Sequence, residues 1–348
     1  MHERFPTLVQ GAFLAVLIGW VLYIGRPVFV PVVFSVLVVY VILGLTRQLE
    51  RVPRLGRAMP PWLRLALSIA AMTIALVVTF AAVARYADAM RAQGPQFLES
   101  LLVKIQRASA LLGVEGEPTW ATLRREVLGQ VNLQRVVGAT VASLTSIAAT
   151  MVFVFICASF LLIERATLSA KIDRLAASPK DATRIRQVAT DINTRIGAYL
   201  ALKTFLSVLL GGVSWAIMAF FGLEFAPLWA VLIGLLNFIP YLGSILGVVA
   251  PALMAIVQFP TMDEVIGLVL VLSIAQFVIG NVLDPYIMGN SLNLSPFAIL
   301  VALTVWAALW GIAGAFLAVP ITAAAVIVLS EFRGTRPIAI LLSRDGRL

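Results

Sequence analysis

The chain has 348 residues, of which 61% are apolar and only 12% charged, roughly half the charged share of a soluble globular domain, and it carries a formal net charge of +9. A single cysteine, Cys157, and a single histidine, His2, exclude an intrachain disulfide, a cysteine or His/Glu metal cluster and a Ser/His/Asp triad. The composition is that of an all-α polytopic membrane protein without cofactor or metal, and no nucleophile and base pair suggests an enzyme.

Cutting the sequence at every Asp, Glu, Lys and Arg leaves uncharged runs at 5–25, 27–46, 65–84, 136–163, 204–223, 225–262, 265–283 and 285–330. Each is long enough to cross a hydrocarbon core of about 30 Å at about 1.5 Å per residue, which predicts about eight membrane segments. The first run ends at Gly25-Arg26-Pro27, which lacks a small-x-small cleavage pattern, so it reads as the first member of an antiparallel helix pair and not as a signal peptide. Residues 1–84 thus form three N-terminal membrane helices.

Residues 85–139 mix both charge signs, and Phe97, Leu101, Ile105, Ala108 and Leu112 place an apolar stripe on one helical face before Gly113, Gly116 and Pro118 interrupt it. This predicts a small extramembranous helical insertion. A fourth membrane helix follows at 140–163, with Cys157 as an inert thiol inside it. In the next segment, 164–198, Ile185, Val188, Ile192 and Ile196 repeat at helical spacing with Arg184, Arg186, Asp191 and Arg195 on other faces. That pattern fits an amphipathic helix along the cytoplasmic interface or a plain helical linker into the next span.

Lys203 lies close enough to the start of the fifth span for its stem to snorkel, the reading of a structural lysine. Beyond it, residues 204–332 contain no Lys or Arg. The positive charge is concentrated at Arg4, at Arg47 to Arg64, between Arg165 and Arg195, and in the basic tail 331–348. By the positive-inside rule these segments and both termini are cytoplasmic, with Arg26 on the outside, and the charge needs no nucleic-acid partner.

Residues 199–330 form the expected transport core. The stretch 226–258 would be about 50 Å long as a straight helix, too long for one span at ordinary tilt. Pro240-Tyr241-Leu242-Gly243-Ser244 is its natural break. Broken backbone must be sheltered by protein or line a wet cavity, which is where a solute binds; alternatively, the glycines serve close helix packing. Pro227 and Pro251 enclose Gly243 and Gly247, and Pro296 and Pro320, at the same separation, enclose Gly311 and Gly314. Either the two stretches span the membrane or they are re-entrant hairpins related by inversion, turning at Pro240 to Ser244 and near Gly311.

The motifs Asn237-Phe-Ile-Pro240-Tyr241-Leu-Gly243-Ser, Gly280-Asn281 followed by Pro285 and Met288-Gly289-Asn-Ser291-Leu, Leu294-Ser-Pro296, and Gly311-Ile-Ala-Gly314 running to Ala318-Val-Pro320 resemble the autoinducer-2 exporter family of bacterial permeases. The likeness is dense from about Tyr199 to Leu329. It implies about eight membrane segments, an extramembranous helical insertion, a homo-oligomer of pentameric type and transport. It also implies a bacterial inner-membrane location.

Candidate path residues are the polar and breaking groups of this region: Asn237, Pro240, Tyr241, Gly243, Ser244, Gly247, Gln276, Asn281, Gly311, Gly314 and Pro320. At 100° per residue, Gln276 and Asn281 are about 140° apart with Asp284 between them, so a regular helix would put all three on one face. Asp284 there is either a cation or proton site or a turn former ahead of Pro285. The leading expectation is a secondary transporter exporting a small polar signalling molecule of the autoinducer-2 type. Monovalent cation/proton antiport is the alternative within the same family, and a passive oligomeric channel or membrane scaffold the alternative of another class. No Walker-type phosphate loop supports ATP-driven pumping.

Overall fold

The computed structural model describes residues 4–51, 59–79, 150–289 and 292–346, with positions 81, 85, 103 and 104. Its regular elements are helices: α1 Arg4–Ile24, α2 Arg26–Arg51, α3 Pro61–Thr79, α4 Thr150–Glu164, α5 Leu168–Leu175, α6 Pro179–Phe220, α7 Ala226–Leu236, α8 Leu242–Gln258, α9 Met262–Phe277, α10 Asp284–Met288, α11 Pro296–Glu331 and α12 Arg336–Leu342. Helix is the open-chain conformation that satisfies every backbone donor and acceptor within one apolar segment, which is why the uncharged runs fold this way. Five helical stretches, Arg26–Glu50, Pro61–Thr79, Pro179–Phe220, Met262–Met288 and Pro296–Glu331, are long and apolar enough to cross a membrane. The chain is a polytopic helical membrane protein.

The helices belong to two units interleaved in sequence. One comprises residues 1–69, 150–204 and 288–348, the other 70–149 and 205–287. Helix α6 runs without interruption across residues 198 and 199, so the amphipathic stretch and the fifth span are one helix.

In the second unit α7 and α8 fold back on each other. Gly243 packs against the carbonyl of Leu236, Gly247 against Ile233, and Gln258 at the far end of α8 reaches the loop before α7. There its Nε2 donates to Gly222 O at 2.8 Å and its Oε1 accepts from Glu224 N at 2.7 Å. Partner positions converge toward the turn, as in an antiparallel hairpin. The reversal occupies Asn237 to Tyr241, and Tyr241 takes φ 64, ψ −47. The break therefore begins three residues before the expected Pro240, and Leu242 to Ser244 already belong to α8. The Lys104 ammonium donates to the carbonyls of Ile256 and Phe259, placing a cation at the carbonyl end of α8 where the helix dipole favours it.

In the first unit α11 is interrupted at Gly311, whose φ 64, ψ −141 is open to glycine alone. The two halves turn back: Gly314 packs against the Trp306 carbonyl, and Trp306 Nε1 donates to Thr322 Oγ1 at 3.1 Å. Ser295 caps the start of α11 by accepting from Ala298 N at 3.0 Å, with Pro296 at the first helical position. The tail is tied to the loop ahead of this hairpin: Ser295 N donates to Leu342 O, Arg344 N donates to Asn293 O, and Leu294 bridges Ser343. The stripe from Phe97 to Leu112 lies outside the described residues, as do His2 and Ser291.

Candidate functional site

Ser207, Gly211 and Ser214 recur on one face of α6, and Ala230 and Gly234 on one face of α7. Without side chains at the two glycines the backbones meet: a Cβ added at Gly211 would stand 3.0 Å from Ala230 O, and one at Gly234 3.0 Å from Ser207 O. This small-xxx-small seam is a common way for membrane helices to approach closely. At its end Asn237 Nδ2 donates to Ser207 Oγ at 3.0 Å, tying the start of the chain reversal to α6.

From the turn, α8 carries two buried glycines inward. Gly243 has no room for a Cβ beside the Leu236 carbonyl, and the side-chain amide of Gln276 occupies the space above Gly247. Gln276 is 4% exposed and its Nε2 has no hydrogen-bond partner among the described residues. Ser214 Oγ and Trp229 Nε1 are likewise buried without a partner among the described residues, and they belong to the two helices of the glycine seam. A buried donor left unpaired costs about 1–3 kcal/mol. All three of these donors belong to the second unit.

The sequence-derived residues do not all meet. Asn237, Gly243, Gly247 and Gln276 are assembled by the α7–α8 hairpin and α9, and Ser244 is exposed on α8 with Gly280 beside its hydroxyl. Pro240 is half-buried in the turn and Tyr241 is exposed. Gly311, Gly314 and Pro320 belong to the α11 hairpin of the other unit, where Gly314 and Pro320 are buried and Gly311 is exposed.

The expected common face of Gln276, Asn281 and Asp284 is not formed. Val278–Leu283 is wound as a π-helix, so 100° per residue does not carry across it. Gln276 is buried, Asn281 exposed and Asp284 half-buried. Lys203 is buried within the first unit, and Cys157 is a free thiol. Among the described residues no group of His, Cys, Asp and Glu could hold a metal ion. Sequence reasoning passed over Ser207, Gly211, Ser214, Trp229 and Gly234; the four-residue spacing of small residues at 207 and 211 and at 230 and 234 was the available signal.

Spanning helices and two chain reversals define a polytopic helical membrane protein, and its relatives define the class of work it does. Residues 12–334 match the model of the AI-2E family transporters, and the chain belongs to that family. It is 25% identical over 339 residues to TqsA of Escherichia coli K12, described as an AI-2 transport protein, covering 97% of this chain and 95% of TqsA. A relative from Borreliella burgdorferi B31 is 33% identical over 194 residues, 56% of this chain and 53% of that protein. YhhT of Escherichia coli K12 is 35% identical over 147 residues, 42% of each chain. The protein is therefore a multi-pass membrane permease of the AI-2E type.

Proposed function

We propose that this permease is a secondary transporter that exports a small, hydroxyl-rich signalling molecule of the autoinducer-2 type across the bacterial inner membrane. The observation that carries the reading is the α7–α8 reversal with the buried, unpaired amide of Gln276 beside Gly247. An amide donor held in an apolar unit is matched by hydroxyl or carbonyl oxygens, and a broken hairpin supplies the sheltered backbone that solute sites in transporters use. The description of TqsA as an AI-2 transport protein supports the same class of solute. The solute path comprises Asn237, Pro240, Tyr241, Ser244, Gly247 and Gln276, with Gly243 packing the hairpin. Both termini face the cytoplasm, where their arginines belong by the positive-inside rule. The working form is a homo-oligomer of the pentameric type implied by the family resemblance.

Cation/proton antiport is the second reading, favoured by the half-buried carboxylate of Asp284 directly after the π-helical segment. Flux through the purified full chain in vesicles, with autoinducer-2 and with imposed proton or sodium gradients, tests both. Saturable flux with counterflow supports the exporter. Cation flux coupled to protons without autoinducer-2 movement supports antiport, linear flux a channel, and no flux a scaffold.

A further inference from the structure

The first unit holds a groove of about 720 Å³ between the N-terminal half of α6 and the end of α11. Arg184, Asp191 and Arg195 line it from α6; at seven- and four-residue spacings they fall within about 40° of one another around the helix. Glu331, Arg333 and Arg336 line it from the end of α11 and the start of α12, over a floor that includes Val326 and Ile327. Four arginines thus face two carboxylates.

One of those carboxylates is committed. Arg184 Nε donates to Glu331 Oε2 at 3.1 Å, its Nη2 donates to the Glu331 carbonyl, and its guanidinium lies 5.6 Å from the centre of the Phe332 ring. Arg186, on the same helix, pairs with Asp173 at 3.2 Å and does not line the groove. Arg195, Arg333 and Arg336 remain exposed in the concavity with no carboxylate partner among the described residues, opposed by Asp191 alone. Guanidinium groups converging on a concave surface present paired N–H donors that match phosphate oxygens, and the apolar floor beside them suits a ligand that is charged at one end.

We propose that this groove is a phosphate-binding site, with Arg195, Arg333 and Arg336 as its ligands and Arg184 held in place by Glu331. The phosphate is carried either by an anionic lipid headgroup or by a free anion.

The test uses the full chain purified in a neutral detergent, with thermal unfolding followed while inorganic phosphate or phosphatidylglycerol is added, and phosphatidylcholine as the control. Wild type is expected to be stabilised saturably. Each basic residue near an anionic surface is worth about fivefold in binding, so the triple variant R195Q/R333Q/R336Q is expected to bind about a hundredfold more weakly. The variant's unfolding midpoint without ligand establishes that it is folded; if it is not, R195Q alone, expected to lose about fivefold, takes its place. R186Q, outside the groove, is expected to keep wild-type affinity. Stabilisation by inorganic phosphate assigns the site to a free anion, and stabilisation by phosphatidylglycerol alone assigns it to a headgroup. No saturable response to either, or an equal response in the arginine variants, overturns the proposal.

Discussion

In the α7–α8 hairpin the chain takes Asn237 to Tyr241 to reverse, whereas α11 reverses at Gly311 alone. The longer turn leaves polar groups behind it: Asn237 bonded to Ser207, Ser244 exposed, Gln276 buried and unpaired. The single-residue turn is backed by rings, with Trp306 and Trp310 at a centroid distance of 5.0 Å and Phe34 against Phe316 at 5.5 Å. Trp310 Nε1 also donates to Leu22 O at 2.9 Å, fastening that hairpin to α1. Two reversals of similar outline therefore have different interiors, one offering unmatched donors and the other a closed aromatic seam. The proposed solute path lies in the first of these hairpins, and the second is packed as an anchor.

The largest effect expected from breaking this contrast is at Gly314. A Cβ there overlaps the Trp306 carbonyl, so Gly314→Ala should destabilise the protein by about 3 kcal/mol, at the top of the range for overpacking, as read from unfolding in detergent. Wild-type stability would mean that the seam is loose. Gly311→Ala meets open space but must adopt a glycine-only backbone conformation, and should cost about 1–3 kcal/mol in the same assay. Smaller again is Asn237→Ala, which removes one interhelical hydrogen bond worth about 0.6 kcal/mol on average in membrane proteins. Its flux should nevertheless fall, because the reversal loses its tie to α6. Gln276→Leu sharpens the comparison most cleanly: stability should stay within about 0.5 kcal/mol of wild type or rise, since an unpaired buried donor is removed. Solute flux in vesicles should drop, and unchanged flux would move the path away from Gln276.

The helical class was readable because the bilayer leaves an apolar run almost no other structure, and the excess length of 225–262 announced a break before its position was known. The expected stretch, Pro240 to Ser244, contains the last two residues of the reversal but starts three residues late, because proline and glycine were taken as the break itself. The strained residue is Tyr241, and Gly243 serves close packing. Gly243 with Gly247 and Gly311 with Gly314 also looked like counterparts inside equally spaced prolines, yet both glycines of the first pair are packing positions while Gly311 is the turn. The π-helical winding of 278–283 was illegible, since Gly280 and Asn281 weaken a helix without dictating a wider turn and only the tertiary setting selects it. Ser207 escaped notice because a serine in an apolar run reveals its role only through its partner, and Asn237 lies thirty residues away.

The interleaving of the two units sets an order in time. A polypeptide emerges N-terminus first, and domains tend to form as units while it does. The second unit is complete in sequence at Ile287, so its hairpin and α9 are available before the remainder has been made. The first unit has to wait: its earliest helices are synthesised at the outset, but α11 and the strand-like tie between Leu294 and Ser343 come from the last part of the chain. During that interval α1 and α2 lack the aromatic seam that will cover them. A truncation just before residue 336 would supply that seam but leave the mouth of the α11 hairpin without its closing stitch.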